Sequence, residues 1–470
     1  MRPSGPLRVA PDVRGGQVHG LATGRVHRRG IQGSGTGDRG GTVTTRAPGA
    51  GDSSGSGSHE LILVDALLPD GRRTDIGIRS GRISAVGDLD TTPHTGEIHD
   101  LAGALVIPSL VEPHAHLDKA LTADVVPNPT LDLAGAVQAW RQATKAGRFD
   151  RDDVTRRALE ALRLLTAAGV TAVRSHVNSL PHTVDTAVAA LVEVRRTVSD
   201  LIDLQLVALT GPTATGPAGA EGRAGLARAI ELGVDVVGGA PQLDPDPQGA
   251  VDVALAIAGD ARLPVDLHMD ETLDPEARSL HYLARRVIET GFPHRVTASH
   301  CVSLGVQTPQ QQIETARLVA EAGIGVITLP QTNLYLQARG VRRAPPRGLT
   351  ALDALEQAGV QVCAGGDNVE DPYNPLGRSD PLEAAALMVL AAHRSPDQAL
   401  QMVSTSARAV LGLEDVSLAV GSPADLVAIR SVSPREAMAR APQARTVYRR
   451  GHRIAHTETR TTFSPDPSGR

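Results

Sequence analysis

Residues 204–237 read LQLVALTGPTATGPAGAEGRAGLARAIELGVDVV and contain one strand–helix–strand unit. The apolar runs at 204–207 and 234–237 have the length of buried strands, and residues 222–232 between them have helical length. Parallel strands need a crossover of this kind, whereas antiparallel strands can be joined by a short turn. The stretch is therefore typical of an α/β protein with a parallel sheet.

The same alternation extends from about residue 106 to residue 413, with further helical stretches such as 153–168 and 315–322. Eight short apolar runs recur along it, at residues 106–107, 171–173, 204–207, 234–237, 265–267, 296–298, 325–328 and 360–362. Eight strands with helical crossovers predict a (β/α)8 TIM-type barrel over residues 106–415. In that fold the active-site residues lie at the C-terminal ends of the strands, so candidate residues are sought there.

Both ends of the chain carry short strand patterns, at residues 61–64, 75–78, 80–83, 424–429, 446–448 and 451–454. Neither end has enough strands to bury a core of its own. We therefore predict a small composite β-sandwich domain built from residues 59–105 and 416–458.

Two flanking segments remain. Residues 1–58 are rich in Gly, Arg and Ser and contain no Glu. They predict a disordered tail, or a start codon assigned too far upstream, and residues 459–470 predict a second tail.

Composition excludes several classes of protein. The formal net charge of −5 argues against a general nucleic-acid coat, which needs a basic face. No apolar run approaches the roughly 20 residues of a membrane span. Two cysteines among 470 residues rule out a disulfide scaffold, and no stretch near the start resembles a signal peptide. We expect a cytoplasmic protein.

Histidines follow several of the predicted strands. Residues 113–118 read PHAHLD, and two histidines at positions i and i+2 of an extended segment project to the same side, so His114 and His116 can chelate one ion. The fifth strand leads into His268, the sixth ends at His300, and the eighth leads into Asp367. Convergence at one mouth of a barrel predicts a metal site, and imidazoles with a carboxylate suit Zn²⁺ or Fe²⁺.

Hydrolysis is the chemistry that such a site supports. A divalent ion lowers the pKa of a bound water toward 7 and so supplies hydroxide. Asp367 can orient that water and accept its proton, and His300 is placed to hydrogen-bond the hydroxide. Glu271, three residues past His268, can carry a proton to a leaving amine.

These residues together resemble the amidohydrolase superfamily, and more closely its cytosine deaminase branch. The resemblance spans about residues 60–455 in order, and it is carried by residues 111–118 (VEPHAHLD), 268–271 (HMDE), 296–300 (VTASH), 333–339 (NLYLQAR) and 367–377 (DNVEDPYNPLG). It implies a barrel with a composite β-domain. It also implies that one metal ion is bound by His114, His116, His268 and Asp367, that His300 contacts the hydrolytic water, and that Glu271 moves protons.

The lysine content favours the branch with one metal. The chain contains only two lysines, Lys119 and Lys145, so none is available on the fourth strand. Superfamily members with two metals usually bridge them there with a carbamylated lysine. Such a bridge is impossible in this chain.

The residues expected to contact the substrate differ from those of cytosine deaminases. Residues 209–212 read LTGP and lack the glutamine with which cytosine deaminases read a pyrimidine. Lys119 after His-x-His-Leu-Asp, and Asn368 after Asp367, instead resemble the related N-isopropylammelide isopropylaminohydrolases, which remove an alkylamine from a triazine. We predict substrate contacts from Lys119, Gln337, Asn368 and Tyr373.

We expect a metal-dependent deaminase that attacks a ring carbon of a small nitrogen heterocycle and expels ammonia or an alkylamine. Hydrolysis of a cyclic amide or another non-peptide C–N bond is the alternative. A non-catalytic scaffold is a distant third, because such a protein should have lost ligands and this chain keeps them. Homo-oligomers are common in the family, although no interface is evident in the sequence.

Overall fold

The computed structural model describes residues 59–92 and 95–464. The predictions for residues 1–58 and for the last six residues of the chain lie outside the described residues.

Sixteen strands are present in the described part of the chain. Five precede the barrel: β1 (Leu61–Leu67), β2 (Arg73–Arg79), β3 (Arg82–Gly87), β4 (Glu97–Asp100) and β5 (Leu105–Pro108). Eight form it: β6 (Leu110–Ala115), β7 (Val170–Asn178), β8 (Asp203–Leu209), β9 (Val236–Gly239), β10 (Val265–Met269), β11 (Val296–His300), β12 (Gly325–Thr328) and β13 (Val362–Ala364). Three follow it: β14 (Leu426–Ile429), β15 (Arg445–Arg449) and β16 (His452–His456).

The α-helices of the described residues lie mostly between the barrel strands. They are α1 (Leu133–Lys145), α2 (Arg151–Ala167), α3 (Ala189–Thr197), α4 (Ala220–Leu232), α5 (Pro247–Ala261), α6 (Ser279–Thr290), α7 (Pro309–Glu321), α8 (Pro330–Leu336), α9 (Leu352–Gln357), α10 (Pro381–Ala392), α11 (Pro396–Met402), α12 (Thr405–Leu411) and α13 (Pro434–Arg440). Side chains that cap backbone N–H groups define several starts. Thr308 and Gln311 form a reciprocal capping box at α7, and Asp132 caps α1.

The barrel strands pair in parallel, in chain order from β6 to β13. An isolated parallel bridge between Ala115 and Asp367 joins the last strand region to the first, where the Asp367 N–H donates to the His114 carbonyl at 3.0 Å. At the opposite end α12 contributes Ala407, Val410 and Leu411 to a buried cluster with residues of the barrel strands. The predicted (β/α)8 barrel is confirmed.

The two chain ends build one separate sheet, in the order β16-β15-β14-β5-β1-β2-β3, with β4 paired to β1. The join between the ends is antiparallel, with Val106 of β5 opposite Ala428 of β14. The sheet has its own buried core, which includes Leu63, Ile76 and Tyr448. The prediction of a composite β-domain is confirmed.

One strand prediction is wrong. Residues 106–107 do not form the first barrel strand, because they belong to β5 of the terminal sheet, and β6 begins at Leu110. Val106 packs into the core of the terminal sheet, while Ile107 packs into the barrel core. A strand with both faces buried is apolar throughout, so its hydrophobic pattern does not reveal which sheet it joins.

No helix of residues 59–92 and 95–464 is long and apolar enough to span a membrane.

Candidate active site

The predicted metal ligands meet at the C-terminal mouth of the barrel. His114 lies near the end of β6, His116 lies just beyond it, and His268 is the penultimate residue of β10. Asp367 follows β13, and His300 ends β11. All five side chains are buried, so each is surrounded by protein atoms and not by solvent.

Four of these side chains place ligand atoms around one point. His116 Nε2 lies 3.3 Å from His114 Nε2, 3.2 Å from His268 Nε2 and 3.2 Å from Asp367 Oδ1. Zn–N bonds of 2.0–2.1 Å in a tetrahedral site put neighbouring ligand atoms about 3.3 Å apart. The spacing of these nitrogens and this oxygen therefore fits one small divalent ion.

A buried acceptor atom without a hydrogen-bond partner at the same place supports that fit. Asp367 Oδ1 is buried and has no hydrogen-bond partner among the described residues. An acceptor buried without a partner costs free energy, and a carboxylate oxygen costs more than a neutral one. A cation between Asp367 and the imidazoles would remove that cost.

The electrostatics of the histidines also suit metal binding. Burial, followed by the charges of neighbouring groups, holds the pKa values of His114, His116 and His268 well below the ordinary value. These imidazoles are neutral near pH 7 and keep a lone pair for a ligand bond, as metal binding requires.

The carboxyl groups shift in the opposite direction. Burial raises the pKa of Glu271 to about 8. Burial also raises the pKa of Asp367 to about 8, although the charge of His300 opposes this shift. Because Glu271 keeps its proton near neutral pH, it can act as an acid as well as a base, whereas a cation beside Asp367 would favour the ionised form of that carboxyl.

His300 is held in one orientation beside these carboxyls. Its Nδ1 lies 3.0 Å from the side-chain oxygen of Asn333 and 3.7 Å from Glu271 Oε1. Asn333 Oδ1 can only accept, so His300 Nδ1 carries the hydrogen. His300 Nε2 has no hydrogen-bond partner in the described chain and lies 4.0 Å from Asp367 Oδ2, so it is free to contact a reacting group.

The backbone is strained where the strands end. His300, Cys301 and Asp367 have φ values of 66°, 51° and 69°, in the left-handed region that residues other than glycine rarely adopt. Such conformations persist only where the surrounding structure imposes them, and they cluster at functional sites. Here they turn His300 and Asp367 toward the mouth.

A cavity of about 100 Å³ lies over the ligands and is lined by Glu271, Lys119, Asn368 and Tyr373 among other residues. Lys119 Nζ lies 3.0 Å from His116 Nδ1 and 5.4 Å from the centre of the Tyr373 ring. The structure thus brings three of the four predicted substrate contacts together. The amide nitrogen of Asn368 donates to Asp371 at 2.8 Å, and its oxygen accepts from Thr332 Oγ1 at 3.4 Å, so that oxygen has room for one further donor.

Gln337 lies elsewhere. It lines a larger vestibule of about 1360 Å³ outside the inner cavity, and its Nε2 donates to the backbone carbonyl of Glu271 at 3.3 Å. The vestibule shares Glu271 and Arg141 with the inner cavity, so the two spaces form one route to the site.

Trp140 of α1, which was not predicted as a site residue, also lines the inner cavity and places its ring 5.8 Å from Lys119 Nζ. Trp140 is the only tryptophan of the chain, and that rarity was the one signal available. Residues 209–212, which lack the expected glutamine, line the same cavity.

The fold and the site define a class of protein. A (β/α)8 barrel with a composite terminal sheet, whose mouth holds three histidines, an aspartate and a nearby glutamate, is the architecture of metal-dependent barrel hydrolases. The family model described as "Amidohydrolase family" matches residues 138–455. The chain belongs to the amidohydrolase family.

Individual relatives agree with this assignment. A pterin deaminase of Rhizobium rhizogenes is 34% identical over 383 residues, which is 81% of this chain and 87% of the relative. The crystal structure of a 5-methylcytosine deaminase from Klebsiella pneumoniae is similar with a TM-score of 0.78 and 31% identity, and covers 86% of this chain and 99% of its own.

An N-isopropylammelide isopropylaminohydrolase from Burkholderia multivorans is also similar, with a TM-score of 0.73 and 29% identity, covering 84% of this chain and 98% of its own. The predicted family is therefore confirmed.

Proposed function

We propose that this chain is a mononuclear metal-dependent deaminase, which hydrolyses an exocyclic C–N bond of a small nitrogen heterocycle and releases ammonia or an alkylamine. The observation that carries the proposal is the cluster formed by His114, His116, His268 and Asp367, whose ligand atoms lie 3.2–3.6 Å from His116 or His114. Glu271 and His300 beside this cluster add the groups that hydrolysis needs.

The four clustered residues would hold one divalent ion, which we propose to be Zn²⁺ or Fe²⁺. When bound, the ion supplies Lewis acidity and lowers the pKa of water in its coordination sphere. The absence of lysine from β9 supports a single ion, since no carbamate bridge can form there.

The protein's own groups then direct the proton transfers. Asp367 accepts a proton from the attacking water, and His300 Nε2 holds that water against the ring carbon. Glu271 delivers a proton to the departing nitrogen, which is required because an amide anion is a very poor leaving group. The raised pKa of Glu271, about 8 as a result of burial, keeps this proton available near neutral pH.

We place the substrate ring in the inner cavity, against Tyr373 and beside Lys119. An aromatic wall suits a flat heterocycle, and a buried ammonium suits a ring oxygen. Asn368 offers a side-chain oxygen to a ring N–H, and Gln337 contacts the part of the substrate that extends into the vestibule. The substrates named for the relatives make pterins, pyrimidines and alkylamino-triazines the candidate substrates of this chain.

The test combines metal analysis with a substrate panel of pterin, cytosine, 5-methylcytosine and N-isopropylammelide. Ammonia and isopropylamine are measured separately, with Glu271→Gln protein as the control. About one metal ion per chain, with amine released only by the wild type, is the expected result. Metal without release from any member would contradict the deaminase proposal and favour cyclic amides, and protein that binds no metal would contradict the site itself.

We also propose that the enzyme is cytoplasmic and forms a homo-oligomer. The unpaired cysteines Cys301 and Cys363 are buried and suit a reducing compartment. Light scattering of the purified chain measures the oligomeric state, and a monomer at all concentrations would contradict the second part.

A further inference from the structure

A chain of polar side chains runs from His114 into the interior of the barrel. His114 Nδ1 lies 2.9 Å from the hydroxyl of Ser299, and that hydroxyl donates to Asp266 Oδ1 at 3.0 Å. The other oxygen of Asp266 accepts from Arg174 Nη1 at 2.8 Å. The four residues come from β6, β11, β10 and β7, and all are buried. We call them the His114 relay.

Arg174 anchors the inner end of this relay. Its guanidinium donates to Thr297 Oγ1 at 3.0 Å, to the side-chain oxygen of Gln205 at 2.9 Å and 3.0 Å, and to the Leu411 carbonyl at 3.3 Å. Together with Asp266, the guanidinium therefore has four hydrogen-bonding partner residues. The side chain therefore has one orientation, and it presents a fixed positive charge to Asp266.

Only one direction of hydrogen bonding is possible along the relay. The carboxylate of Asp266, paired with Arg174, can only accept, so the Ser299 hydroxyl donates its hydrogen to Asp266. The lone pairs of that hydroxyl are then left for His114, so His114 Nδ1 must carry a hydrogen. The hydrogen on Nδ1 leaves Nε2 with a lone pair, and Nε2 is the atom that lies 3.3 Å from His116 Nε2.

We infer that Ser299, Asp266 and Arg174 are positioning residues that set the tautomer and the ring orientation of His114 before a metal ion arrives. The inference rests on the proposed metal site and deepens it. Hydrogen bonds behind a ligand histidine raise its basicity and fix its orientation. The His176 ring, tilted against His114 with the ring centres 4.0 Å apart, does not take the place of Ser299, because neither of its nitrogens has a hydrogen-bond partner within the described residues.

The test measures the affinity of metal-free protein for Zn²⁺ by competition with a chromogenic chelator, together with the thermal unfolding of each metal-free variant. Ser299→Ala removes the hydroxyl. Ser299→Thr keeps it and adds a methyl group to a packed site, so it disturbs packing without breaking the relay.

Ser109→Ala is the matched control. Ser109 is also fully buried, its hydroxyl lies 2.7 Å from Thr171 Oγ1, and it accepts from Arg408, which is paired with Asp425. It precedes β6, so it lies at the end of the barrel opposite to the metal ligands.

We expect Ser299→Ala to raise the dissociation constant for Zn²⁺ by about 10–100-fold, while Ser109→Ala and Ser299→Thr stay within about threefold of the wild type. The affinity for Zn²⁺ would then not correlate with the thermal stability of the metal-free variants, which is the result that a positioning role requires.

Two results would overturn the inference while leaving the metal site in place. One is a Ser299→Ala protein that binds Zn²⁺ as tightly as the wild type. The other is an equal loss of affinity in Ser299→Ala and Ser299→Thr, which would assign the effect to packing. A wild-type protein that binds no Zn²⁺ would overturn the metal site itself, and the inference with it.

Discussion

The buried carboxyl of Glu271 makes the stability of the protein depend on pH. Burial raises its pKa from the ordinary 4.5 to about 8, so over this range the folded chain holds a proton that the unfolded chain has lost. The unfolded state binds fewer protons, and the free energy of unfolding therefore falls as the pH rises from about 4.5 to 8. At about 1.4 kcal/mol for each pKa unit, Glu271 destabilises the metal-free fold by roughly 3 kcal/mol at pH 7.

Glu271→Gln keeps the shape of the side chain and removes this titration. We expect the stability of the variant, relative to that of the wild type, to increase by roughly 4 kcal/mol between about pH 5 and pH 8. The same substitution removes the proposed proton transfer, so kcat/KM should fall by about 10²–10⁴-fold. Metal content should not change, because Glu271 is not among the four proposed ligands.

The assay is urea unfolding of both metal-free proteins at a series of pH values, followed by turnover of the metal-loaded proteins. Glu112 and Asp367 also have pKa values raised to about 8 by burial. Glu112 titrates alike in both proteins, whereas the charge of Glu271 contributes to the raised pKa of Asp367, so the difference reports Glu271 together with its coupling to Asp367. A stability difference that stays constant within about 1 kcal/mol across this range would refute the claim that burial keeps Glu271 protonated.

Three further predictions concern metal, substrate and fold. His116→Ala should lower metal content from about one ion per chain to less than about a tenth, measured by elemental analysis, because one of four ligands is lost; full retention would exclude His116 as a ligand. Lys119→Met should raise KM or lower kcat by about tenfold or more with metal retained, since a charge-assisted bond to the substrate is lost; unchanged kinetics would remove Lys119 from the substrate contacts. Leu63→Ala should lower the free energy of unfolding by roughly 2–5 kcal/mol without changing metal content, because it leaves a cavity in the terminal sheet; a loss of metal would show that the two parts are coupled.

Much of the barrel could be predicted because local pattern and fold agree there. The strand at residues 325–328 matches β12, and the helix expected at 222–232 lies within α4. The segment at 106–107 could not be assigned correctly, because its two faces pack into different cores. Hydrophobic pattern reports that a strand is buried and does not report which strand lies beside it.

The candidate site, like the barrel, could be predicted only in part from the sequence. The i, i+2 spacing of His114 and His116 sufficed to place both rings on one side of the chain. The rule that barrel residues act at strand ends sufficed to add His268, His300 and Asp367. The pairing of Arg174 with Asp266 was beyond reach, since the two residues are 92 positions apart and lie on strands that are not neighbours in the sheet.

The sequence by itself determined the residue types at the strand ends, the strand–helix alternation and the absence of a lysine that could bridge two metals from the fourth barrel strand. Only the tertiary structure decided the 3.2 Å and 3.3 Å spacings of the ligand atoms, the tautomers of His114 and His300, and the raised pKa of Glu271. The physical reason is that residue types and periodicity are local properties of the chain. Burial, desolvation and the direction of a hydrogen bond depend instead on groups that only the closed barrel brings together.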